Sequence, residues 1–255
     1  MKKLLSLTSI ALASSLLVAA PIAQAGYTTT KNPILLVHGL LGFKNFWGAD
    51  YFYQIPSTLK NDGAKVHVAT VSAVGSSELR GEQLIKEMQD LKAIYGYSKF
   101  NLVGHSQGSP TSRYAAAVRP DLVSSVTSVN GVNKGSRVAD VVRKVAPAGT
   151  VTSAVFAAVA NGLAGFLTFV YGTPDLDQNS LNALDSLTTN GLTAFNKKYP
   201  AGVPSACGNG AASYNYVKNG VTHNVKYYSW GGTSVFTNVL DPLDAGIGLL
   251  SNAFL

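Results

Sequence analysis

From residue 32 onward, apolar and polar positions alternate between strand-like and helix-like periods. Residues 32–37 run through Ile34, Leu35, Leu36 and Val37 without a polar break, the pattern of a central strand covered on both faces. A glycine-bearing loop at 38–42 follows. Residues 55–62 read as a helix closed by Gly63, and 65–71 alternate as a strand. The clearest amphipathic helix lies at 77–95, where Leu79, Leu84, Met88 and Leu91 share an apolar face with charges opposite. A short apolar strand at 100–103 leads into Gly104-His105-Ser106-Gln107-Gly108. Helix-forming residues at 113–118 follow and stop at Arg119-Pro120, before a further strand at 126–130. Strands alternating with helices predict an α/β fold, a mostly parallel sheet with helices on both faces. No repeat or low-complexity linker divides the chain, so it reads as one domain.

Two segments depart from that rhythm. Residues 1–25 carry Lys2 and Lys3, then an apolar stretch, then Ala23-Gln24-Ala25, which together read as a removable secretory signal with the domain spanning 26–255. Residues 148–172 hold no charge and many apolar side chains. A bilayer span, a mobile helical cover over an apolar cleft and an ordinary buried helix are all compatible with that composition. Thr150, Thr152, Ser153, Asn161 and three glycines interrupt the run, which favours the cover over the span.

Charge adds little: 13% of residues are charged, with a formal net charge of +7, and the basic residues are scattered. Nucleic-acid binding, which needs a basic patch or stripe, is not expected. Cys207 is the one cysteine, so in an exported protein it is either a free thiol or lacks its partner within these 255 residues.

The chemistry concentrates at residues 104–108. The pattern is short enough to arise by chance, but here it sits between a strand and a helix, the setting of a nucleophile elbow. A serine nucleophile needs backbone N–H groups to hold the oxyanion. One comes from the residue after it, Gln107, and the other from the loop after an earlier strand, where Leu40 N–H is the candidate. Its base is a histidine that follows in chain order, and only His223 follows Ser106. Asp175, Asp177 or Asp185 formally completes that order, yet His223 stands beside an Asn-Gly hairpin turn. His38 reads as packing near the oxyanion loop, His67 as a structural histidine in a strand, and His105 as pointing away from its neighbour.

The chain resembles the foldase-dependent bacterial true lipases (family I), secreted triacylglycerol hydrolases of the α/β-hydrolase fold. The collinear resemblance covers residues 27–245, including 33–42, Ile55-Pro56-Ser57, Arg80-Gly81-Glu82-Gln83-Leu84, the elbow, Arg113-Tyr114, residues 118–122, Lys134-Gly135-Ser136, Phe195-Asn196, residues 198–200, 227–230 and Leu240-Asp241-Pro242. It implies Ser106 as nucleophile, with Leu40 and Gln107 as the oxyanion hole. It implies a helical lid near 148–172, Asp241 as a ligand of a structural Ca2+, and Cys207 as half of a disulfide. It further implies a lipid ester substrate at an oil–water interface, a membrane-anchored steric chaperone, and release to the extracellular medium via the periplasm.

In that family the acid, the histidine, the second cysteine and further calcium ligands follow the counterpart of Asp241. Here the fourteen residues that follow contain neither histidine nor cysteine. The expectation is a C-terminally incomplete lipase with severely reduced hydrolysis. The alternatives are a non-catalytic remnant that binds a lipid interface or a partner, and a short-chain esterase or acyltransferase.

Overall fold

The computed structural model describes residues 26–46, 49–137, 139, 140, 143, 180–203 and 210–232. The predicted signal, the 148–172 segment, Cys207, Asp241, Asp175 and Asp177 lie outside the described residues. The main sheet has six strands in the order β4-β1-β5-β6-β8-β7. They are β1 (Ile34–Val37), β4 (Val66–Val68), β5 (Phe100–His105), β6 (Val123–Val129), β7 (Ser213–Lys218) and β8 (Val221–Trp230). Five run parallel, and β7 pairs antiparallel with β8 at the edge. A small ribbon of β2 (Asn45–Phe46) and β3 (Ala49–Asp50) stands apart. The helices are α1 (Ile55–Asn61), α2 (Ser77–Tyr95), α3 (Gly108–Val118), α4 (Ser180–Leu187) and α5 (Thr189–Lys198). Among the described residues no helix is long and apolar enough to cross a membrane.

Strand side chains feed two apolar layers. Leu35 and Val37 of β1, Phe100 and Leu102 of β5, and Val225 and Tyr227 of β8 pack with Leu84, Ile85 and Met88 of α2 and Ala115 and Ala116 of α3. Leu36 and Val66 turn to the other face, with Phe52, Ala64 and Leu59. Because a strand sends successive side chains to opposite faces, the unbroken apolar run of β1 is what two covered faces require. On β6, Val123 and Val126 reach one layer despite their odd spacing, because the pairing register slips between Phe100 and Asn101.

Helix α2 occupies the predicted residues. Ser76 caps it, its hydroxyl accepting from Leu79 N at 3.2 Å, and Gly96 ends it in a left-handed conformation. Its buried face differs from the expected stripe, since Arg80 lies on it, fully buried, beside Gly81, Leu84 and Met88. Helix α3 begins five residues before the expected start. Pro110 fits its first turn, where no intrahelical N–H bond is lost. The β7–β8 hairpin turns at Asn219-Gly220, both at positive φ, as the Asn-Gly pair predicts.

Arg113 of α3 ties the sheet's C-terminal end to α5. Its Nε donates to Ala201 O at 2.9 Å, one terminal nitrogen to Asn196 Oδ1 at 2.9 Å, and the other to Tyr199 O at 2.5 Å. The guanidinium also lies over the Phe195 ring. Burial pushes it down to about 10, so it stays charged at neutral pH. A lysine ammonium cannot reproduce this planar fork. Arg113→Lys is expected to cost about 3 kcal/mol, two lost charge-assisted hydrogen bonds, read as a lower midpoint in thermal or urea unfolding.

Close approach of backbones sets a second constraint. A β-carbon on Gly108 would lie 2.1 Å from Val37 O, and one on Gly104 would lie 2.3 Å from Gly108 O. Strand β1, strand β5 and the start of α3 therefore meet with no room for side chains. Gly108→Ala is expected to destabilise by about 1–3 kcal/mol, lowering the thermal midpoint by roughly 3–10 °C.

Candidate active site

At the C-terminal end of β5 the chain turns sharply into α3, and Ser106 sits at the apex with φ 54°. Non-glycine residues rarely hold that conformation, and it carries a strain of about 1–3 kcal/mol. Its own backbone secures it. Ser106 N donates to Val129 O at 3.1 Å, and Ser106 O accepts from Ser109 N at 3.1 Å and Val132 N at 3.3 Å. Among the described residues, no hydrogen bond engages Ser106 Oγ.

The loop after β1 lies directly over this serine. A β-carbon on Gly39 would fall 2.7 Å from Ser106 Cβ and 3.1 Å from Ser106 Oγ, so only glycine allows the approach. Leu40 follows, its side chain packed with Ala73, Val74 and Ala183. Neither Leu40 N–H nor Gln107 N–H has a hydrogen-bond acceptor among the described residues. Gln107 is the N-cap of α3, where backbone N–H groups lie beyond the helical ladder and the helix dipole favours negative charge. The structure thus gathers Ser106, Leu40 and Gln107 at one sheet end. Asp241, the fourth expected site residue, lies outside the described residues. Among the described residues no group of three or more His, Cys, Asp or Glu is placed to hold a metal.

Arg80 carries no role in the sequence reading beyond its place in the Arg80-Gly81-Glu82-Gln83-Leu84 resemblance. Its buried guanidinium reaches across to both loops. Nη1 donates to Gly39 O at 3.1 Å and to Gln107 Oε1 at 3.1 Å, and Nη2 donates to His38 O. Gln107 Nε2 in turn donates to Gly75 O at 2.9 Å, so the Gln107 side chain is a strut between Arg80 and Gly75. Burial pushes the Arg80 guanidinium down to about 9, and it remains a cation at neutral pH. A trans peptide directs its N–H opposite its C=O. By holding Gly39 C=O, Arg80 turns Leu40 N–H the other way.

The four histidines fall into separate roles. His38 is buried, donates from Nδ1 to Gly39 O at 3.0 Å, and is driven to about 3 by burial and by the Arg80 charge, so it is neutral. His67 contacts Tyr97 Oη at 3.2 Å and packs on Tyr95 and Tyr97. His105 is half-buried, its Nδ1 2.5 Å from Tyr51 Oη, and burial lowers its pKa. His223 pairs with Tyr216 near the hairpin turn, seven residues before the end of β8. At about 3.3 Å per residue that is roughly 20 Å from the sheet end that carries Ser106. None of the four hydrogen-bonds Ser106 Oγ. Tyr51, which touches both the Gly39 loop and His105, carried no recognisable sequence signal, because those partners lie 12 and 54 positions away.

A strained serine between a parallel strand and a helix, with two unpaired N–H groups on the adjoining backbone, suits nucleophilic acyl transfer. The comparisons with known proteins agree with that chemistry. Residues 32–237 match the family described as alpha/beta hydrolase fold. The chain is 49% identical over 259 residues to a triacylglycerol lipase of Vibrio cholerae, covering 100% of this chain and 80% of that protein. It is 42% identical over 232 residues to a triacylglycerol lipase of Pseudomonas fragi, covering 88% of this chain and 76% of that one. A triacylglycerol lipase of Burkholderia plantarii is 42% identical over 226 residues, covering 85% of this chain and 61% of that one. With its elbow at the end of a parallel strand, the chain belongs to the alpha/beta hydrolase fold family and, within it, to the triacylglycerol lipases.

Proposed function

We propose that this chain attacks carboxylic esters of lipids with Ser106 Oγ, forming an acyl-enzyme that water then hydrolyses. Leu40 N–H and Gln107 N–H hold the tetrahedral oxyanion. The observation that carries the reading is the positive φ of Ser106 together with two unpaired N–H groups on loops cross-linked by Arg80. Those donors are fixed before substrate arrives, so they need no reorganisation as charge develops on the carbonyl oxygen. The substrate is a lipid ester presented at an oil–water interface, supported by the named activity of the relatives at 42–49% identity.

Several further readings rest on the sequence resemblance. They are export via the periplasm behind a signal at 1–25, a steric chaperone that assists folding, a lid at 148–172, and a structural Ca2+ near Asp241. A hard cation takes six to eight oxygen ligands, so Asp241 supplies only part of such a site. No step of the hydrolysis is assigned to the ion.

Proton removal from Ser106 limits turnover. His38, His67 and His105 are engaged elsewhere, and His223 stands at the far end of β8. Serine hydrolases stripped of triad members keep about 10³–10⁴-fold acceleration over water. The 255-residue chain is therefore expected to hydrolyse p-nitrophenyl palmitate slowly, at a residual rate supplied by the oxyanion hole and substrate binding, and Ser106→Ala is expected to change that rate little. Turnover at the level of the triacylglycerol lipases it matches would overturn the reduced-activity reading. Vesicle binding that survives Ser106→Ala in a chain without turnover would instead support a non-catalytic lipid-binding remnant.

Arg80→Met tests the cross-link. Losing the alignment of an oxyanion donor costs about 10²-fold in kcat, with KM little changed, because the lost interaction belongs to the transition state. Unchanged steady-state kinetics in Arg80→Met would remove Arg80 from this account.

A further inference from the structure

Tyr51 lies between the two loops that frame Ser106. Its ring packs on His38, Phe43, Phe52 and His105, with centroids 4.9–5.8 Å apart. Its hydroxyl accepts from Gly39 N–H at 3.2 Å and lies 2.5 Å from His105 Nδ1. The same hydroxyl and Ser106 Oγ each lie 3.1 Å from the point a β-carbon on Gly39 would occupy. We propose that Tyr51 is a positioning residue of the oxyanion loop. Its hydroxyl, oriented by donating to His105 Nδ1, holds Gly39 N–H and thereby fixes the direction of Leu40 N–H. This inference rests on the reading of Ser106 as nucleophile and Leu40 N–H as oxyanion donor.

The geometry of two consecutive peptides carries it. In the His38–Gly39 peptide, Arg80 holds the C=O and Tyr51 holds the N–H, so both ends are clamped. In the Gly39–Leu40 peptide, Arg80 and His38 hold the C=O, and the N–H is left for a ligand. The hinge between them is Gly39, which is glycine because Ser106 leaves no room for a β-carbon. Glycine has the widest backbone freedom of any residue. Close approach thus makes the loop intrinsically loose at the point where its direction matters most, and the clamp on Gly39 N–H removes that looseness. A tyrosine hydroxyl has one proton and two lone pairs. With Gly39 N–H occupying a lone pair, the proton is free for the nearby Nδ1 of His105. Burial keeps His105 neutral and therefore able to accept. His105 then serves to orient Tyr51 and not to activate Ser106.

Tyr51→Phe removes the hydroxyl and keeps the ring. Reaction of the chain with a p-nitrophenyl alkylphosphonate, followed by intact mass, reads the site without multiple turnovers. Ser106 Oγ forms a bond to phosphorus, the phosphorus–nitrophenolate bond breaks, and the serine proton goes to solvent. Tyr51→Phe is expected to form the adduct about tenfold more slowly, and to exchange its Gly39 amide hydrogen about fivefold faster, the size of one lost hydrogen bond. His105→Leu is expected to shift both readouts in the same direction by less, and it covers the case in which Tyr51→Phe fails to fold. Adduct formation at the wild-type rate, or slower formation with an unmoved Gly39 amide, would overturn the proposal. Adduct formation persisting in Ser106→Ala would instead overturn the reading of Ser106 as nucleophile.

Discussion

The site depends on one buried cation. The Arg80 guanidinium touches Gly39 O, His38 O and Gln107 Oε1, so a single planar group sets the relative position of the loop after β1 and the turn into α3. Removing such an ion from water costs several kcal/mol, and no carboxylate stands among these partners. The cost is offset by charge-assisted hydrogen bonds, each worth about 1.5–3 kcal/mol. Carbonyl oxygens suit this task because, unlike a carboxylate, they leave the positive charge unneutralised. The same charge helps keep His38 unprotonated.

Around that cation the backbone is packed too closely for most side chains. Gly39 lies over Ser106, Gly108 lies against Val37 O, and Gly104 lies beneath the first turn of α3. Those contacts bring two strands and a helix start within reach of one serine, but each glycine adds conformational freedom that folding must remove. Polar clamps do so on both sides. Arg80 and Tyr51 hold the loop after β1. On the other side, Asn133 Oδ1 accepts from Ser109 Oγ at 3.0 Å and Asn133 Nδ2 donates to Ser128 Oγ at 2.8 Å, pinning the loop after β6 to the elbow helix. Arg113, 3.4 Å from the same Asn133 oxygen, extends that brace to α5.

Periodicity and local residue chemistry were readable where the interactions are short-range. The boundaries of α2 follow from Ser76 and Gly96, the hairpin from Asn219-Gly220, and the elbow from two glycines around a serine. The fold departs from the local pattern where a distant contact overrides it. Arg80 stands one helical turn before Leu84 on the buried stripe of α2, but nothing local reveals its carbonyl partners 41 and 42 positions away. Helix α3 starts at Gly108 although Gly108 and Pro110 look like loop residues locally, because strand packing demands the turn. Val123 seemed outside β6 because the alternation breaks at a register slip that only the neighbouring strand defines.

The amino-acid sequence by itself determined β1, β4, β5, β6, α1 and α2 to within a few residues, the hairpin turn at Asn219-Gly220, and the elbow at Ser106. Each of these is encoded within a few residues, by hydrophobic period, capping or glycine. Tertiary structure alone decided which side chains govern the site. Arg80, Tyr51, His105 and Asn133 acquire their roles from partners brought together by the parallel sheet. It also decided that His223, the one histidine in the right chain order, stands at the opposite end of its strand from Ser106. The physical reason is that a parallel sheet gathers strand C-termini at one end and separates them by a strand's length from everything at the other.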